Sequence, residues 1–191
     1  TIGLETRPRT TFVSNTTSFV TWKSGDEDAR ILYQFIDDQG LVFDDVKSIS
    51  NYDAIQTSPR VKRSKSGEVF ISWKDLRSDP VDGDIYMQKI DNNGDVLWAD
   101  GVQVDPTDGI NFSGRFASNN IGGFDIFWEK GVFPNVDILF QSFDENFQKP
   151  KISFFQKFKN ITKECLISIH FLKFYGLSLS GRISSWKAPA S

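Results

Sequence analysis

A single cysteine and a single histidine in 191 residues exclude several kinds of protein at once. Cys165 alone rules out an internal disulfide framework and leaves the redox compartment open. His170 alone rules out a multi-histidine metal site within the chain. No run reaches the roughly 18 uncharged apolar residues that a membrane-spanning helix needs. The longest apolar stretch, residues 165–175, is broken by Ser168, His170 and Lys173. No basic segment followed by an apolar one opens the sequence, so any secretory leader is expected to lie outside it. A Gly-rich phosphate loop, a G-x-S-x-G elbow and an H-E-x-x-H pair are all missing. No cofactor and no metal are expected from this inventory.

Charge is scarce as a signal too. The formal net charge is −3, which gives no argument for a nucleic-acid partner. Its distribution is uneven: residues 1–150 carry a net −9, and residues 151–191 a net +6 with Glu164 as the one acid. Aromatics, in contrast, are plentiful at 14%, with 18 phenylalanines, enough to build a real core in one domain.

What is present is a repeat. Trp22, Trp73 and Trp128 each follow an arginine by 13 residues: Arg9, Arg60 and Arg115. Thr6-Arg7-Pro8-Arg9 aligns with Thr57-Ser58-Pro59-Arg60, and Gly114-Arg115 opens the third copy. Each copy then reads through the tryptophan to Gln34-Phe35-Ile36-Asp37, Gln88-Lys89-Ile90-Asp91 or Gln141-Ser142-Phe143-Asp144. The segments are short, rich in β-branched and aromatic residues, and separated by Gly, Asn, Asp and Ser, which marks strands. Ser66-Gly67 and Ile121-Gly122-Gly123 are expected to turn hairpins between the first and second strands.

The third strand of each copy is apolar on both faces: Ile31-Leu32-Tyr33, Ile85-Tyr86-Met87 and Ile138-Leu139-Phe140. A sheet covered on one side alternates apolar with polar, whereas a sheet covered on both sides does not. A fourth strand is expected after a turn, at Leu41-Val42-Phe43 and at Val96-Leu97-Trp98. Four strands per repeat of 51 to 55 residues predict an all-β fold, a partial β-propeller of four-stranded antiparallel blades. The repeats run over about 1–56, 57–111 and 112–165. An incomplete fourth over 166–191 carries Trp186, 58 residues after Trp128. About three and a half blades in one domain, 1–191, would leave sheet faces open, so further blades or self-association are expected. Residues 147–172, rich in Phe and Lys, are either an irregular blade edge or a degenerate end.

Trp73-Lys74-Asp75-Leu76-Arg77, Asp84-Ile85-Tyr86-Met87-Gln88-Lys89-Ile90-Asp91 and Gly94-Asp95-Val96-Leu97-Trp98 resemble a repeat of secreted bacterial β-propeller proteins. The resemblance is strong over 57–106, fair over 1–56 and 107–148, and poor beyond. Copies one and three lack the full W-x-D-x-R element. The resemblance implies residence outside the cell or on its surface, and it carries over no catalytic residue. Asp38-Gln39-Gly40-Leu41-Val42-Phe43 is more remotely similar to the Asp-box turn of sialidase-type propellers, with Ile36 where that motif has Ser.

Candidate site residues come with two readings each. Arg9, Arg60 and Arg115 on the first strand of each copy would face a central channel, where guanidinium forks suit carboxylate or phosphate oxygens. Alternatively each pairs with an acid such as Asp37, Asp91 or Asp144 and staples the fold; their equal placement favours this reading. Trp98, at a strand end, is the tryptophan best placed to be partly exposed and to stack on a sugar. The other tryptophans, and Gln34, Gln88 and Gln141, read as structural. The acid clusters at 26–28, 79–84 and 91–95 read as turns rather than as calcium ligands or a glycosidase pair. Asn15, Asn111 and Asn160 head glycosylation sequons. The expected function is a non-enzymatic binding or scaffold module, secreted or on a bacterial surface, with a glycan or protein partner. The alternatives are a fragment of a sialidase-like glycoside hydrolase and a structural spacer.

Overall fold

The computed structural model describes residues 4–41, 45–105, 109–112, 114–119, 123–132 and 135–144. All of them lie within one compact unit, Thr1–Lys159. The expected fourth repeat with Trp186, the segment 147–172, Cys165, His170 and Asn160 lie outside the described residues.

Among the described residues there is no helix, and the strands form three antiparallel sheets, one per repeat. The first holds β1 (Thr6–Phe12), β2 (Ser18–Ser24), β3 (Arg30–Asp37) and β4 (Gly40–Leu41) in that order, with β5 (Lys47–Ser48) also paired to β3. The second has the order β6 (Gln56–Arg63), β7 (Val69–Asp75), β8 (Asp84–Ile90) and β9 (Val102–Gln103). The third holds β10 (Arg115–Ser118), β11 (Phe124–Val132) and β12 (Asn135–Phe143). None of the sheets closes on itself. Ser66-Gly67 does turn the β6–β7 hairpin, with Gly67 at φ +100° and the Ser64 N–H donating to the Glu68 carbonyl at 2.8 Å.

The two-faced strands have the burial that their sequence demands. Val69, Ile71, Trp73, Tyr86 and Ile90 of the second sheet pack against Phe19, Ile31, Tyr33, Phe35 and Ile49 of the first repeat. On the opposite face, Phe70, Ile85 and Met87 pack against Phe124, Ile126, Trp128, Leu139 and Phe143 of the third sheet. The second sheet is therefore covered on both sides. Register repeats with the sequence: Trp22 stands opposite Leu32, Trp73 opposite Tyr86 and Trp128 opposite Leu139. Tyr33 also reaches across sheets, its hydroxyl donating to the Gly94 carbonyl at 2.9 Å. Burial, then the charges of Asp95 and Asp91, push its pKa up to about 12, so it stays a donor at any ordinary pH.

The fourth strand differs from the expectation. Val96 makes only a single bridge to Ile90, the Leu97 N–H donates to the Lys89 carbonyl at 2.9 Å, and residues 98–101 loop away before β9 returns to the ladder. The first repeat does the same: β4 pairs at the turn, and β5 pairs again with Leu32 and Tyr33, as β9 pairs with Tyr86 and Met87. The repeated glutamine fills the gap between the two pairings. Gln88 Nε2 donates to the Ala99 carbonyl at 2.9 Å and to the Ile49 carbonyl at 3.1 Å. Its Oε1 accepts from the Trp98 backbone N–H at 2.9 Å. Gln34 Nε2 donates to the Asp45 carbonyl at 2.9 Å in the same role. Gly101, at φ +93°, lets the chain pass under the ring of Trp73, where a Cβ would meet Trp73 Cη2 at 2.5 Å.

Replacing a buried amide with an alkyl chain strands the backbone groups it served, at about 1–3 kcal/mol for each that finds no water. Gln88→Leu is expected to lower stability by about 3 kcal/mol in urea unfolding. An unchanged midpoint would show that the loop over 98–101 does not depend on that amide.

Candidate functional site

The W-x-D-x-R element is a structural knot. A buried indole N–H needs an acceptor, and Trp73 Nε1 donates to Asp75 Oδ2 at 2.8 Å. Arg77 Nη2 donates to the same oxygen at 2.6 Å, and the Arg77 backbone N–H donates to Oδ1 at 3.0 Å. The guanidinium lies between the rings of Tyr52 and Tyr86, 4.4 and 4.2 Å from their centroids. Burial works against the Arg77 charge, but the hydrogen bond and charge of Asp75 outweigh it and raise its pKa.

The other repeats build the knot from different residues. In the third, Trp128 Nε1 and Lys130 Nζ both donate to Asp105 Oδ2, at 3.3 and 2.9 Å. Here the acid comes from the linker rather than from the strand. In the first, Ser24 Oγ donates to Glu5 Oε1 at 2.7 Å. No hydrogen bond joins Trp22 Nε1 to a described residue.

Several acids close turns. Asp91 Oδ1 accepts the backbone N–H groups of Asn93 and Asp95, both at 2.9 Å. Asp37 Oδ1 accepts from Gln39 at 2.8 Å. Asp79 Oδ1 accepts from Val81 and Asp82, and these bonds hold its carboxyl below the usual range. Asp84 accepts from Gln103 Nε2 and Asn111 Nδ2. Asn111 is fully buried, so its sequon is not open to modification in the folded chain. Among the described residues no group of three or more acids, His or Cys gathers where a metal could sit.

The arginines come together. Strand β6 neighbours both β1 and β10, so Arg9, Arg60 and Arg115 stand on adjoining strands of successive sheets. Arg7 Nη1 donates to Ser58 Oγ at 2.9 Å, and Lys62 Nζ to Ser118 Oγ at 2.7 Å, across the two seams. The Arg60 guanidinium is lowered from its ordinary pKa first by burial, then by the charges of Arg9, Arg115 and Arg7. Ion pairs elsewhere bring Arg77, Lys130, Lys89, Lys47, Lys23 and Arg30 to acids. Among the described residues no carboxylate lies within ion-pair distance of Arg9 or Arg115. Arg9 and Arg60 share one pose, each donating from Nη1 to the carbonyl of the preceding proline at 2.7 and 2.8 Å.

A backbone device sits beside them. Thr6 faces Lys23 and Arg9 faces Thr21, so β1 carries one extra residue; β6 carries the same extra residue between Thr57 and Arg60. Arg7 and Ser58, at these bulges, have φ of 56° and 57°. Left-handed backbone in a non-glycine residue costs about 1–3 kcal/mol and persists only where the surroundings impose it. Bulges re-aim the side chains around them.

Trp98 does not join this cluster. It is half-buried, with its ring 5.8 Å from that of Phe70. It follows β8, towards the β9 edge of the second sheet, while Arg60 lies on β6 at the opposite edge. Trp73 and Trp128 are sealed between sheets, 0% and 2% exposed. No protein-family model matches the chain, and no curated protein matches it significantly.

Removing one partner of a buried ion pair costs about 3–5 kcal/mol, because the other charge is left uncompensated. Asp75→Ala is expected to lose that much in denaturant titration followed by tryptophan fluorescence. Asp105→Ala should fall in the same range, since both carboxylates are 0% exposed.

Proposed function

We propose that this chain is a non-enzymatic binding module of a secreted or cell-surface protein, built as part of a β-propeller, with an anionic ligand held by Arg9, Arg60 and Arg115. The observation that carries this reading is the accumulation of guanidinium charge on adjoining strands, with no carboxylate of a described residue within ion-pair distance of Arg9 or Arg115. Planar guanidinium groups match carboxylate and phosphate oxygens in pairs. An anion placed among them would offset the burial and the neighbouring guanidinium charges that together lower Arg60. Acidic glycans and acidic protein segments both present such oxygens.

The propeller reading is supported by the order of the sheets. Each repeat makes its own sheet, each sheet stacks on the next, and the first strands of the repeats lie side by side. Binding is favoured over turnover by the fate of the acids. A glycosidase needs two carboxylates facing one bond, whereas Asp37, Asp79 and Asp91 spend their oxygens on backbone N–H groups in turns.

Calorimetric titration with sialic acid, a uronic acid oligomer and their neutral counterparts tests the reading. The acidic sugars should bind and the neutral ones should not, with affinity falling as salt rises. Arg115→Ala and Arg9→Ala should each weaken binding about tenfold, some 1.4 kcal/mol, with the melting temperature unchanged. Equal affinity for acidic and neutral ligands, or unaltered binding by both variants, would overturn it.

A further inference from the structure

The first strands of the three repeats carry charge of one sign. Strands β1, β6 and β10 hold Arg7, Arg9, Arg60, Lys62, Arg63 and Arg115 and no acid, within a stretch, residues 1–150, whose net charge is −9. Arg9, Arg60 and Arg115 make a row across the three strands, one at the same position of each repeat. Two further cations bridge the seams on either side of that row. Arg7 precedes it by two residues on β1, and its Nη1 donates to Ser58 Oγ at 2.9 Å. Lys62 follows it by two residues on β6, and its Nζ donates to Ser118 Oγ at 2.7 Å. Ser58 is the equivalent of Arg7 in the next repeat, and Ser118 lies one position past Ala117, the equivalent of Lys62. The first strands therefore run in the same direction and nearly in step, with the two seam bonds at opposite ends of the patch. A serine hydroxyl that accepts a hydrogen bond still has its own proton to donate. Among the described residues neither Ser58 Oγ nor Ser118 Oγ donates to an acceptor.

We propose that the patch is an extended site for a linear acidic polysaccharide, in which the arginine row holds one carboxylate and the Arg7–Ser58 and Lys62–Ser118 pairs hold the carboxylates that flank it. This rests on the anion-binding reading above and adds the size and class of the ligand. One anion would be met in full by the row, whereas each seam offers a second set of donors, a cation with a hydroxyl. Joining the charges in one chain makes engagement of the second and third sets intramolecular, which raises affinity without a new kind of contact. A polysaccharide suits the patch better than an acidic peptide does. Its carboxylates are carried on rings that hold their spacing, and the donor sets are themselves held by the stacking of the sheets. A peptide has to order its backbone at every residue to match them. Sugar hydroxyls beside each carboxylate can also accept from Ser58 and Ser118.

Calorimetric titration of the 191-residue chain with a single uronic acid and with oligouronates of increasing length reads the outcome. Affinity is expected to rise about 100-fold from the monomer to the longer oligomers. It should also fall more steeply with salt for the oligomers, which meet more charges at once. Lys62→Ala should lower the oligomer's affinity about tenfold and the monomer's far less. Arg7→Ala, at an exposed position, should do the same from the other seam even if the Lys62 variant fails to fold. Three results would overturn the extended site and leave the single-anion site standing: no gain on lengthening, variants that weaken monomer and oligomer alike, or an oligoglutamate that binds more tightly than the oligouronate of equal charge. No binding by any acidic sugar would sink the single-anion site, and the extended site with it.

Discussion

A sheet with two apolar faces cannot stand alone in water, and the rest of this structure depends on that constraint. Burying a large apolar side chain contributes about 1.5–3 kcal/mol, and the second sheet commits both its faces to such burial. Trp73 and Met87 belong to the same sheet but to different cores. Stacking therefore follows from composition, because no arrangement of a single sheet could cover Phe70 and Ile71 together. The polar chemistry follows in turn. Once the indole of Trp73 is sealed its N–H needs an acceptor, Asp75 supplies it, and the buried carboxylate then needs a cation, which is Arg77.

Stacking also imposes a problem of spacing, and the repeated glutamine answers it. In the second sheet the fourth strand leaves the ladder after Val96 and Leu97 and rejoins it at β9, so backbone groups between them lack ladder partners. Gln34 and Gln88 reach into that gap and serve the carbonyls of Asp45 and Ala99, which lie 11 residues along in each case. Gln88 holds the Ile49 carbonyl as well, which ties the end of the first repeat to the second sheet. One side chain thus sets the loop within a sheet and the seam between sheets.

The parts of this design that are local in sequence were legible there. The absence of apolar–polar alternation in residues 85–90 declared two covered faces, and the spacing of the tryptophans gave the register at which Trp73 and Trp128 are buried. Gln88 read as a buried amide in need of backbone partners, and it has them. The split fourth strand was not legible, because Val96-Leu97-Trp98 has strand composition and the bend depends on Gly101 passing beneath Trp73. Nor was the knot at Trp128. Its acid, Asp105, lies 23 residues earlier on a linker, so the W-x-D-x-R spacing fails although the chemistry survives. Trp98 was read as the tryptophan best placed to be partly exposed, and it is half-buried, with its ring 5.8 Å from that of Phe70. The arginines were placed correctly on the first strand of each repeat, yet no spacing could tell whether an acid would meet them.

That last point separates two roles for the same side chain within one molecule. Arg77 and Arg60 are both half-buried, and burial opposes the charge of each. At Arg77 a carboxylate within 2.6 Å more than compensates, and two tyrosine rings flank the guanidinium, so its charge is favoured. At Arg60 the neighbouring charges are Arg9, Arg115 and Arg7, and they add to the effect of burial. A guanidinium used as a staple in this fold has the surroundings of Arg77. The first strands of the repeats have the opposite surroundings, and the stacking that buries the tryptophans is what brings those strands side by side. Regular placement of the arginines is then a consequence of the fold, and it is shared by both readings, the staple and the ligand site. What distinguishes the site is the sign of the charge around it, and the proposed anionic ligand is the reading that answers to that sign.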